Sequence, residues 1–365
     1  MKIAHVQVIP KLSGVQQISL DILKSIKHEN NQKYIICGED VTVSFSEAFK
    51  NAGVEIIIVP SLRRDIGLHD FICFFRLVSI FRKYKFDIVH TNSTKPGIIA
   101  RIAAKVAGIK KIVHTVHGVA FHKHAGLFTR FVYIILENFA TLFGNVNISV
   151  NRNYVRYYPF VKTKVIYNGV DFTDLNPMRQ DKNLSKCIHF AFLGRLDEQK
   201  NPMQFIKAAK IVLDNINDHS RVNFTLAGDG ELAADCKDLI KKLAIQDEIA
   251  MPGWITDKDS FFNSIDVLCQ PSRWEAFGLV FVEASYYSIP SIATSVEGIP
   301  EIVKDGFSGL LYHGDELELA QCMMLYINTP EKILIMGNNA KKYSCIHFNK
   351  ERMIDEYLKI YGIGK

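Results

Sequence analysis

Short apolar runs alternate along this chain with longer stretches in which apolar residues recur at helical spacing. The short runs have the length of buried strands, and the longer stretches have the length of helices. This alternation is typical of parallel sheets, because each crossover helix covers one face of the sheet. In the first half, the pattern predicts strands at 3–9, 34–37, 55–59, 87–91, 111–116, 146–150 and 164–167, and helices at 17–25, 96–107 and 126–143.

A second series of strands and helices begins near residue 189. The pair Asn168-Gly169 before it is turn chemistry, and the polar stretch 180–186 has the composition of a linker. We therefore predict an α/β chain of two doubly wound Rossmann-like domains that face each other across a cleft, where such sheets bind ligands. The predicted strands are 189–193, 223–227, 249–251, 267–269, 291–293 and 309–311, and examples of the predicted helices are 202–214 and 231–243.

Length and composition agree with two intracellular domains. The 365 residues exceed what one core usually holds, and 48% of them are hydrophobic. No run of eighteen apolar residues predicts a spanning helix, and the apolar run after Met1 is shorter than a secretory signal requires. The seven cysteines are odd in number and lack paired spacing, which favours reduced thiols in the cytosol.

Charge is divided unevenly along the chain. Residues 1–170 hold 23 Lys+Arg and 10 Asp+Glu, a net +13, whereas the remainder holds 21 and 28, a net −7. The basic half suits an anionic membrane surface, and its basic and aromatic residues cluster at 63–85 and near 127–135. A basic amphipathic helix there would lie in a membrane interface, and an ordinary core helix is the alternative. Zinc-finger spacing and RNA-binding signatures are absent from the sequence, so no nucleic-acid partner is expected.

The clearest chemical signal is a pair of carboxylates, Glu275 and Glu283, eight positions apart around the step Phe277-Gly278. A helix is predicted from Leu279 onward, so the first carboxylate falls in a loop and the second inside the helix. The amides at the helix mouth and the dipole behind them favour a phosphate. A carboxylate on each side of a phosphate suits a nucleoside diphosphate sugar, which has hydroxyls at both ends. Chance spacing with a solvated Glu283 is the alternative.

Two cations, Arg195 and Lys200, straddle a predicted strand-to-helix turn. Arg195 offers a planar fork to a diphosphate, and Lys200 offers a point charge. The alternative is a pair of ordinary surface cations. The turn stands at the carboxyl end of the predicted sheet, which favours a role in stabilising a departing diphosphate.

Two further loops are weaker candidates. The loop 10–16 follows the first strand, and Gly14 in it would let the backbone approach a ligand closely. This loop lacks G-x-G-x-x-G, so a dinucleotide site is poorly supported. Trp254 follows another strand, in a loop whose backbone could hold a base. An ordinary connection is the alternative for both loops.

Four histidines, His114, His117, His122 and His124, lie close together in the sequence. Their spacing does not match a metal site, and neither a cysteine nor H-E-x-x-H accompanies them, so no metal is predicted. His117 stands at a strand end beside Gly118 and is the better candidate for contact with a reacting sugar. A hydrogen-bonded structural histidine is the alternative.

Taken together, these residues resemble the retaining glycosyltransferases of family 4, also called glycosyltransferase group 1, which have the two-Rossmann GT-B fold. The resemblance covers nearly the whole chain and is more specific for fold and reaction than for the sugar. It also points to the branch that builds bacterial surface polysaccharides. Its further motifs are G-R-L-D-E-Q-K-N at 194–201, A-G-D-G-E at 227–231, I-Y-N-G-V-D at 166–171, T-S-V-E-G-I-P-E-I at 294–302, D-G-F-S-G-L-L at 305–311, H-T-N-S-T-K-P-G at 90–97 and H-T-V-H-G at 114–118.

The resemblance implies roles at the matching positions. Arg195 and Lys200 would bind the donor diphosphate, Glu275 the donor sugar and Glu283 the ribose hydroxyls, while His117 would lie near the sugar. The residues assigned to the donor site are Gly14, Arg195, Lys200, Trp254, Glu275, Phe277, Gly278, Leu279 and Glu283, and those assigned to catalysis are His117, Glu275, Arg195 and Lys200.

Two positions depart from the family pattern. The loop at Ser13-Gly14 has one glycine where many relatives have two, and Glu297-Gly298 stands where relatives often show two glycines. The first departure removes one of the two glycines that would let that loop approach a phosphate closely.

The implied reaction moves a hexosyl group, or an N-acetylhexosaminyl group, from a UDP-sugar to a lipid-linked saccharide with retention of configuration. Fixed cations and helix amides would stabilise the leaving diphosphate, so no metal or other cofactor is expected. The product would belong to O-antigen or capsule, and the enzyme would be cytoplasmic and peripheral on the inner face of the cell membrane. The implied domains are 1–168 on the acceptor side and 169–345 for the nucleotide sugar, with the helix of 346–365 crossing back to the N-terminal domain.

Two alternatives remain besides transfer. A UDP-sugar epimerase on the same fold would need an acid/base pair beside the sugar, and His117 has no partner carboxylate at a suggestive spacing. A non-catalytic nucleotide-sugar-binding protein would bind without turnover. A NAD-dependent dehydrogenase is disfavoured because the glycine fingerprint is missing.

Overall fold

In a computed structural model, which describes residues 1–27, 30–65, 67–178, 184 and 186–364, the chain forms two compact units. The first unit combines Met1–Gly169 with Lys350–Lys365, and the second is Val170–Asn349. The division falls one residue after the expected boundary at 168, and the C-terminal segment joins the first unit from residue 350 rather than 346. Most of the expected linker at 180–186 lies outside the described residues.

The first unit is built on seven strands and six helices that the described residues define. The strands are β1 Lys2–Val6, β2 Gln32–Cys37, β3 Val54–Ile58, β4 Ile88–Asn92, β5 Lys111–Val116, β6 Val146–Ser149 and β7 Thr163–Val165. The helices are α1 Gly14–Ser25, α2 Val43–Asn51, α3 His69–Tyr84, α4 Thr94–Val106, α5 Leu127–Thr141 and, at the end of the chain, α13 Lys350–Tyr361. All strands are parallel, in the order β3-β2-β1-β4-β5-β6-β7.

Helices cover both faces of this sheet. The chain moves outward from β1 to β3 in one direction and from β4 to β7 in the other, so right-handed crossovers place α1 and α2 on one face and α3, α4 and α5 on the other. Successive residues of β1 point to opposite faces: Ile3 packs in the cluster that holds Phe45 and Phe49, and Ala4 packs in the cluster that holds Leu77 and Phe81. Helix α13 belongs to the first of these two clusters.

The second unit repeats this design with six parallel strands in the order β10-β9-β8-β11-β12-β13. One apolar cluster of its core includes Phe190, Phe192 and Phe205. Together the two sheets confirm the predicted fold class of two doubly wound Rossmann-like domains. The strands are β8 Ile188–Leu193, β9 Val222–Ala227, β10 Ile249–Gly253, β11 Val267–Gln270, β12 Ser291–Thr294 and β13 Gly309–Tyr312, and the helices are α6 Pro202–Asn215, α7 Ala233–Lys242, α8 Lys258–Ser264, α9 Leu279–Tyr286, α10 Ile299–Ile302, α11 Glu316–Asn328 and α12 Glu331–His347.

Some element boundaries differ from the sequence pattern. Helix α1 begins three residues earlier than predicted, at Gly14, directly after Ser13 in an extended conformation. Helix α2 was not predicted, because only Phe45 and Phe49 of it are buried and one apolar pair gives no periodic pattern.

A buried hydrogen-bond network attaches α13 to the sheet of the first unit. The hydroxyl oxygen of Tyr361 lies 2.8 Å from Nε2 of His5 and 2.5 Å from Nδ1 of His90. Nε2 of His90 lies 2.8 Å from the hydroxyl of Thr115, which in turn lies 3.2 Å from the hydroxyl of Tyr357. The C-terminal helix is therefore held by specific polar contacts as well as by its apolar side chains.

A third histidine of this layer is fixed by close packing. Nδ1 of His114 lies 2.9 Å from the hydroxyl of Thr91, and its ring presses against α4 at Gly97. A Cβ atom at Gly97 would fall 2.4 Å from the imidazole, so a larger residue would displace the ring. The motif H-T-N-S-T-K-P-G therefore ends in a glycine for a packing reason.

A buried ion pair joins α4 to α5. Nη2 of Arg101 lies 3.1 Å from Oε2 of Glu137, and both side chains are 1% exposed. Burial lowers the pKa of Arg101, and the charge of Glu137 opposes that shift. The pair fixes the inner face of α5 against the layer beneath it.

The buried histidines predict that acid destabilises the first unit. Burial lowers the pKa of His5 to about 3 and holds the pKa of His90 and His114 well below 6.5. Below about pH 6.5 these histidines bind protons in the unfolded chain but not in the folded chain. Their contribution to the free energy of unfolding is therefore fully present above that pH and is lost as the pH falls. We expect the free energy of unfolding to fall only partly between pH 7 and pH 6, and then by a slope that approaches about 1.4 kcal/mol per pH unit for each histidine well below pH 6.5, measured by urea unfolding at pH 7, 6 and 5.

Two variants calibrate this titration. His90→Gln should reduce the slope, because one proton-excluding site is gone, whereas replacement of the exposed His313 by Gln should leave it unchanged. A free energy of unfolding that did not vary between pH 7 and pH 5 would contradict the assignment.

Candidate functional site

The candidate site of the second unit stands at the carboxyl edge of its sheet. The loops that follow β8 and β9 are each joined there by a backbone hydrogen bond to the end of the neighbouring strand. The amide of Gly194 donates to the carbonyl of Ala227 at 3.1 Å, and the amide of Gly228 donates to the carbonyl of Gly253 at 2.8 Å. Two loops that are distant in sequence thus lie together at this edge of the sheet.

Two glycines make this loop contact possible. A Cβ atom at Gly228 would fall 1.8 Å from the carbonyl oxygen of Gly194, and one at Gly230 would fall 2.5 Å from that of Leu196. Both glycines also have positive φ, at +139° and +157°. The A-G-D-G-E motif is therefore required by the approach of two backbones, independently of any ligand.

Lys200, in the turn after β8, meets Glu275, in the loop before α9. The ammonium of Lys200 donates a hydrogen bond to Oε2 of Glu275, although the two residues are 75 positions apart. Their side chains are 15% and 12% exposed. The Lys200 amide also donates to Oδ1 of Asp197 at 2.9 Å, which fixes the turn that carries the lysine. A mostly buried ammonium that bonds one carboxylate keeps two further N–H groups for a ligand.

Arg195 occupies a more open position than Lys200. Its guanidinium lies 2.9 Å from Oδ2 of Asp197 and donates to Oε1 of Gln199 at 3.0 Å. The side chain is 59% exposed. These contacts use two of the five N–H groups of the guanidinium, so Arg195 is held by its own loop while the rest of its fork remains available.

The loop from Glu275 to α9 has the geometry that the sequence predicts. Gly278 caps the helix with φ +83°, and a Cβ atom there would fall 2.6 Å from the ring of Phe281. Phe277 is buried at 3% exposure, which anchors the loop. The first amides of the helix, beginning at Leu279, have no acceptor within it. An anion next to Glu275 and Lys200 would meet these amides.

Glu283 is the fifth residue of α9 and has a partner that the sequence did not suggest. Its Oε1 lies 2.7 Å from Nζ of Lys258, at the start of α8. The Glu283 side chain is 16% exposed and that of Lys258 is 49% exposed. Pattern reasoning missed Lys258 because 25 residues separate the pair. Trp254 follows β10 and is 64% exposed, so its indole face is open to a ligand.

The remaining predicted residues, Gly14 and His117, lie in the first unit. Gly14 begins α1 and is exposed. His117 follows β5, and its Nε2 lies 3.0 Å from Oδ1 of Asn92 at the end of β4. Burial lowers the pKa of His117 to about 4, so the ring is neutral at pH 7. Asn92 is a further residue that sequence reasoning did not single out, although it lies within a quoted motif.

The structure thus brings together Arg195, Lys200 and Glu275 with the mouth of α9 in one unit, and it places Gly14 and His117 in the other. That the four histidines His114, His117, His122 and His124 bind no metal stays a prediction. Among the described residues, no three His, Cys, Asp or Glu side chains converge in a way that could hold a metal ion.

Two family models together match most of the chain. The model described as "Glycosyl transferases group 1" matches residues 177–343, and the model described as "Glycosyltransferase Family 4" matches residues 12–174. The first match covers the whole candidate site of the second unit, and the second covers both Gly14 and His117.

Similar proteins agree with these models. The chain is 32% identical over 377 residues to an Escherichia coli protein named UDP-Gal:alpha-D-GlcNAc-diphosphoundecaprenol alpha-1,3-galactosyltransferase, covering 99% of this chain and 96% of that protein. It is 31% identical over 209 residues, 56% of each chain, to a Campylobacter jejuni protein named GalNAc-alpha-(1->4)-GalNAc-alpha-(1->3)-diNAcBac-PP-undecaprenol alpha-1,4-N-acetyl-D-galactosaminyltransferase. Anabaena Alr3699/HepE, solved with UDP and glucose, shares the fold, with a TM-score of 0.80, 20% identity and 99% coverage of both chains.

A strained residue beside the site yields a prediction for stability. Glu297 has φ +44°, a left-handed conformation that costs a non-glycine residue about 1 kcal/mol. The next amide, that of Gly298, donates to the carbonyl of Glu275 at 3.1 Å, so this turn supports the site. We expect Glu297→Gly to be more stable than Glu297→Ala by about 1 kcal/mol in urea unfolding.

The two variants form a matched pair, because both remove the glutamate side chain with all its contacts and differ only in backbone freedom. Equal stability of the two variants would mean that the turn relaxes when the side chain is lost.

Proposed function

The chain belongs to the group 1 glycosyltransferases of family 4, and from that membership we propose that it transfers a hexosyl group from a UDP-sugar to a lipid-linked saccharide. We further propose that the anomeric configuration is retained and that the product belongs to a bacterial surface polysaccharide, either O-antigen or capsule. Glycosyl transfer follows from the family. The UDP donor, the lipid-linked acceptor and retention are our inferences.

The observation that carries the proposal is the meeting of Lys200 with Glu275 at the mouth of α9, beside the fork of Arg195. A diphosphate that leaves a sugar gains negative charge on its bridging oxygen. In the proposal, the ammonium of Lys200, the guanidinium of Arg195 and the first amides of α9 receive that charge. Preformed donors of this kind stabilise a developing anion without reorganisation. In the proposal, these donors and not a metal ion stabilise the leaving diphosphate.

The proposed reaction breaks the bond between the anomeric carbon and the β-phosphate oxygen. The acceptor hydroxyl then forms its bond on the face that the diphosphate leaves, and its proton passes to the departing phosphate oxygen. Glu275 binds the donor sugar while it fixes Lys200, and Glu283 receives the ribose hydroxyls. His117 contacts the reacting sugar as a neutral ring, in agreement with its lowered pKa.

Transfer is favoured over epimerisation by the surroundings of His117. An epimerase needs a proton-transferring partner beside the sugar, and the hydrogen-bond partner of His117 is the amide of Asn92. An amide does not transfer protons at neutral pH. The neutral, amide-bonded histidine suits recognition of a hydroxyl.

Two relatives support a lipid-linked acceptor, because their printed names specify diphosphoundecaprenol-linked and PP-undecaprenol-linked saccharides. Both names describe transfer of a galactose-type sugar. We propose the same acceptor class for this chain, assembled at the inner face of the cell membrane. Initial rates with a panel of UDP-sugars distinguish a hexosyl from an N-acetylhexosaminyl donor.

An exposed apolar face on the first unit supports peripheral membrane contact. At about 100° per residue, six exposed apolar residues of α5 and its C-terminal end fall within about 120° of arc and extend about 22 Å. We name them the α5 stripe: Leu127, Phe128, Phe131, Ile135, Phe139 and Leu142, each at least 50% exposed. Patches of this size on a soluble surface are typical of interaction sites.

Helix α3 adds a second exposed face within the same helical layer. Its first turns expose Phe71, Ile72 and Phe75, and its later turns expose Arg76 and Arg82. Apolar rings beside cations are typical of segments that lie in an anionic interface. No helix in the described parts of the chain is long and apolar enough to cross a membrane.

Removal of the proposed diphosphate ligands should impair transfer. We expect Lys200→Ala to lower kcat by about 10²- to 10³-fold, as loss of a preformed anion donor does. Arg195→Ala should cost less, about tenfold, because the exposed guanidinium is screened by water and salt. Initial rates with a panel of UDP-sugars and a lipid-linked diphosphate saccharide in detergent measure both effects.

The control is Lys207→Ala, which removes an exposed cation of the same unit that pairs with Glu316 at 3.2 Å. Its rate should match the parent protein. UDP should raise the melting temperature of the parent protein and raise that of Lys200→Ala less, and GDP should raise neither. Unchanged transfer by both site variants would refute the diphosphate assignment.

The α5 stripe makes a prediction for membrane binding. We expect the double change Phe131→Ser with Phe139→Ser to reduce binding to vesicles that contain anionic phospholipid by at least tenfold, since two large apolar contacts are lost. Co-sedimentation with such vesicles, at low and high salt, measures this. The change Ile346→Ser removes an equally exposed apolar residue, 65% exposed on the second unit, and should leave binding unchanged. Equal binding by all these proteins would exclude the α5 stripe.

A further inference from the structure

Asn92 stands at a distinctive point of the first sheet. The strand order reverses between β1 and β4, because the chain runs outward to β3 on one side and to β7 on the other. Open parallel sheets bind ligands beyond the carboxyl ends of the strands at such a reversal. Asn92 is the last residue of β4, so it lies at the carboxyl end of a strand that borders this point.

The backbone after Asn92 is held in an unusual conformation. Ser93 has φ +69° and ψ 167°, in a region that a residue with a side chain rarely adopts. Helix α4 begins directly afterwards, at Thr94. Strain of this kind persists where the surrounding structure imposes it, and it concentrates at ligand sites. The turn directs the chain away from the sheet and leaves Asn92 buried, at 1% exposure.

The contact with His117 determines which nitrogen of the imidazole carries the proton. At neutral pH the ring has one N–H, since burial lowers the pKa of His117 to about 4. Nε2 lies 3.0 Å from Oδ1 of Asn92, an oxygen that only accepts. The proton is therefore on Nε2, and Nδ1 carries a lone pair that accepts a hydrogen bond.

The other end of the Asn92 side chain is unsatisfied. Its Nδ2 is buried and has no hydrogen-bond partner among the described residues. Buried amide groups without partners are rare in proteins, because each loses its bonds to water. Nδ2 of Asn92 is thus a donor without a partner in the described part of the chain, and Nδ1 of the neighbouring neutral His117 is an acceptor. At the carboxyl edge of a parallel sheet, this pair indicates a ligand that both accepts and donates hydrogen bonds.

We propose that Asn92 and His117 form a donor–acceptor pair for the hydroxyl groups of a sugar substrate, in which Nδ2 of Asn92 donates, Nδ1 of His117 accepts, and the bond between the two side chains maintains the required tautomer. The proposal rests on the proposed function and extends it, since it names the groups that recognise the sugar and makes Asn92 a substrate-contacting residue.

The other titratable groups around His117 leave this pair neutral. They are His5 on β1, His90 on β4 and His114 on β5, and each has a lowered pKa because it is buried. At pH 7 all four rings are therefore uncharged. A carboxylate placed at position 92 would be a new charge about 3 Å from His117, and it would raise the pKa of that ring.

Two substitutions at position 92 distinguish loss of the Asn92 hydrogen-bond donor from a change in the protonation of His117. Asn92→Leu removes the donor and the acceptor at nearly constant volume, and we expect kcat/KM to fall by about 10- to 100-fold with little change in its pH profile. Asn92→Asp protonates His117 over a wider range, so Nδ1 loses its lone pair. We expect the acid limb of kcat/KM to move up by one pH unit or more.

The matched control is another buried asparagine of the same sheet. Asn147 is 6% exposed and donates to the hydroxyl of Thr163 at 2.9 Å. Asn147→Leu and Asn147→Asp should alter the melting temperature while leaving both kcat/KM and its pH profile unchanged. A role of Asn92 in folding alone would give the same behaviour at position 92, and that result would overturn the proposal.

A spectroscopic measurement keeps the proposal separate from the proposed function. The ¹⁵N signals of His117 in the full chain should show the Nε2–H tautomer at pH 7, and its pKa should rise by at least one unit in Asn92→Asp. The Nδ1 signal should move when a UDP-sugar or the lipid-linked saccharide is added, and UDP alone should not move it. If UDP-sugars stabilise the protein and transfer occurs while this signal stays unmoved, the hydroxyl pair is wrong and the proposed function stands. If no transfer occurs, a moved signal still supports sugar recognition at the pair and an unmoved signal refutes it.

Discussion

The bond between Lys200 and Glu275 is the contact on which the candidate site of the second unit depends. It joins the turn after β8 to the loop that opens α9, and it places a mostly buried cation near the first amides of that helix. Removing either partner would leave the other charge mostly buried and without compensation. The resulting loss of folding free energy is larger than the net contribution of the intact pair. The ion pair therefore holds the two loops together, and the same ammonium is the proposed partner of a departing diphosphate.

This arrangement requires backbone contacts that only glycine allows. Gly228 and Gly230 let the loop after β9 lie against the loop after β8, and Gly278 turns the chain into α9. Glu297 adopts a left-handed conformation without being glycine, at the turn that bonds to the carbonyl of Glu275. The site thus combines permissive glycines with one strained residue, as is common where geometry is set for binding.

In the first unit, by contrast, the polar side chains proposed to bind substrate are neutral rather than charged. Its sheet buries histidines that burial keeps neutral, and the tyrosines of α13 bond to two of them or to their partner Thr115. In the proposals above, the neutral His117 and the buried amide of Asn92 bind hydroxyl groups, whereas Lys200 and Arg195 bind a charged diphosphate. The outer face of the same unit exposes the α5 stripe, whose apolar side chains suit a lipid surface.

The sequence by itself determined the alternation of strands and helices and the fold class, because apolar periodicity and glycine placement are local properties. For the same reason it placed Arg195, Lys200 and Glu275 in loops and Glu283 inside a helix. It also carried the family, through motifs spread over nearly the whole chain. Only the tertiary structure decided that Lys200 bonds to Glu275, that Lys258 bonds to Glu283 and that Asn92 holds His117. These partners are between 25 and 75 residues apart, and strand order brings them together. A local pattern contains no information about strand order, so pairings across the sheet required the folded chain.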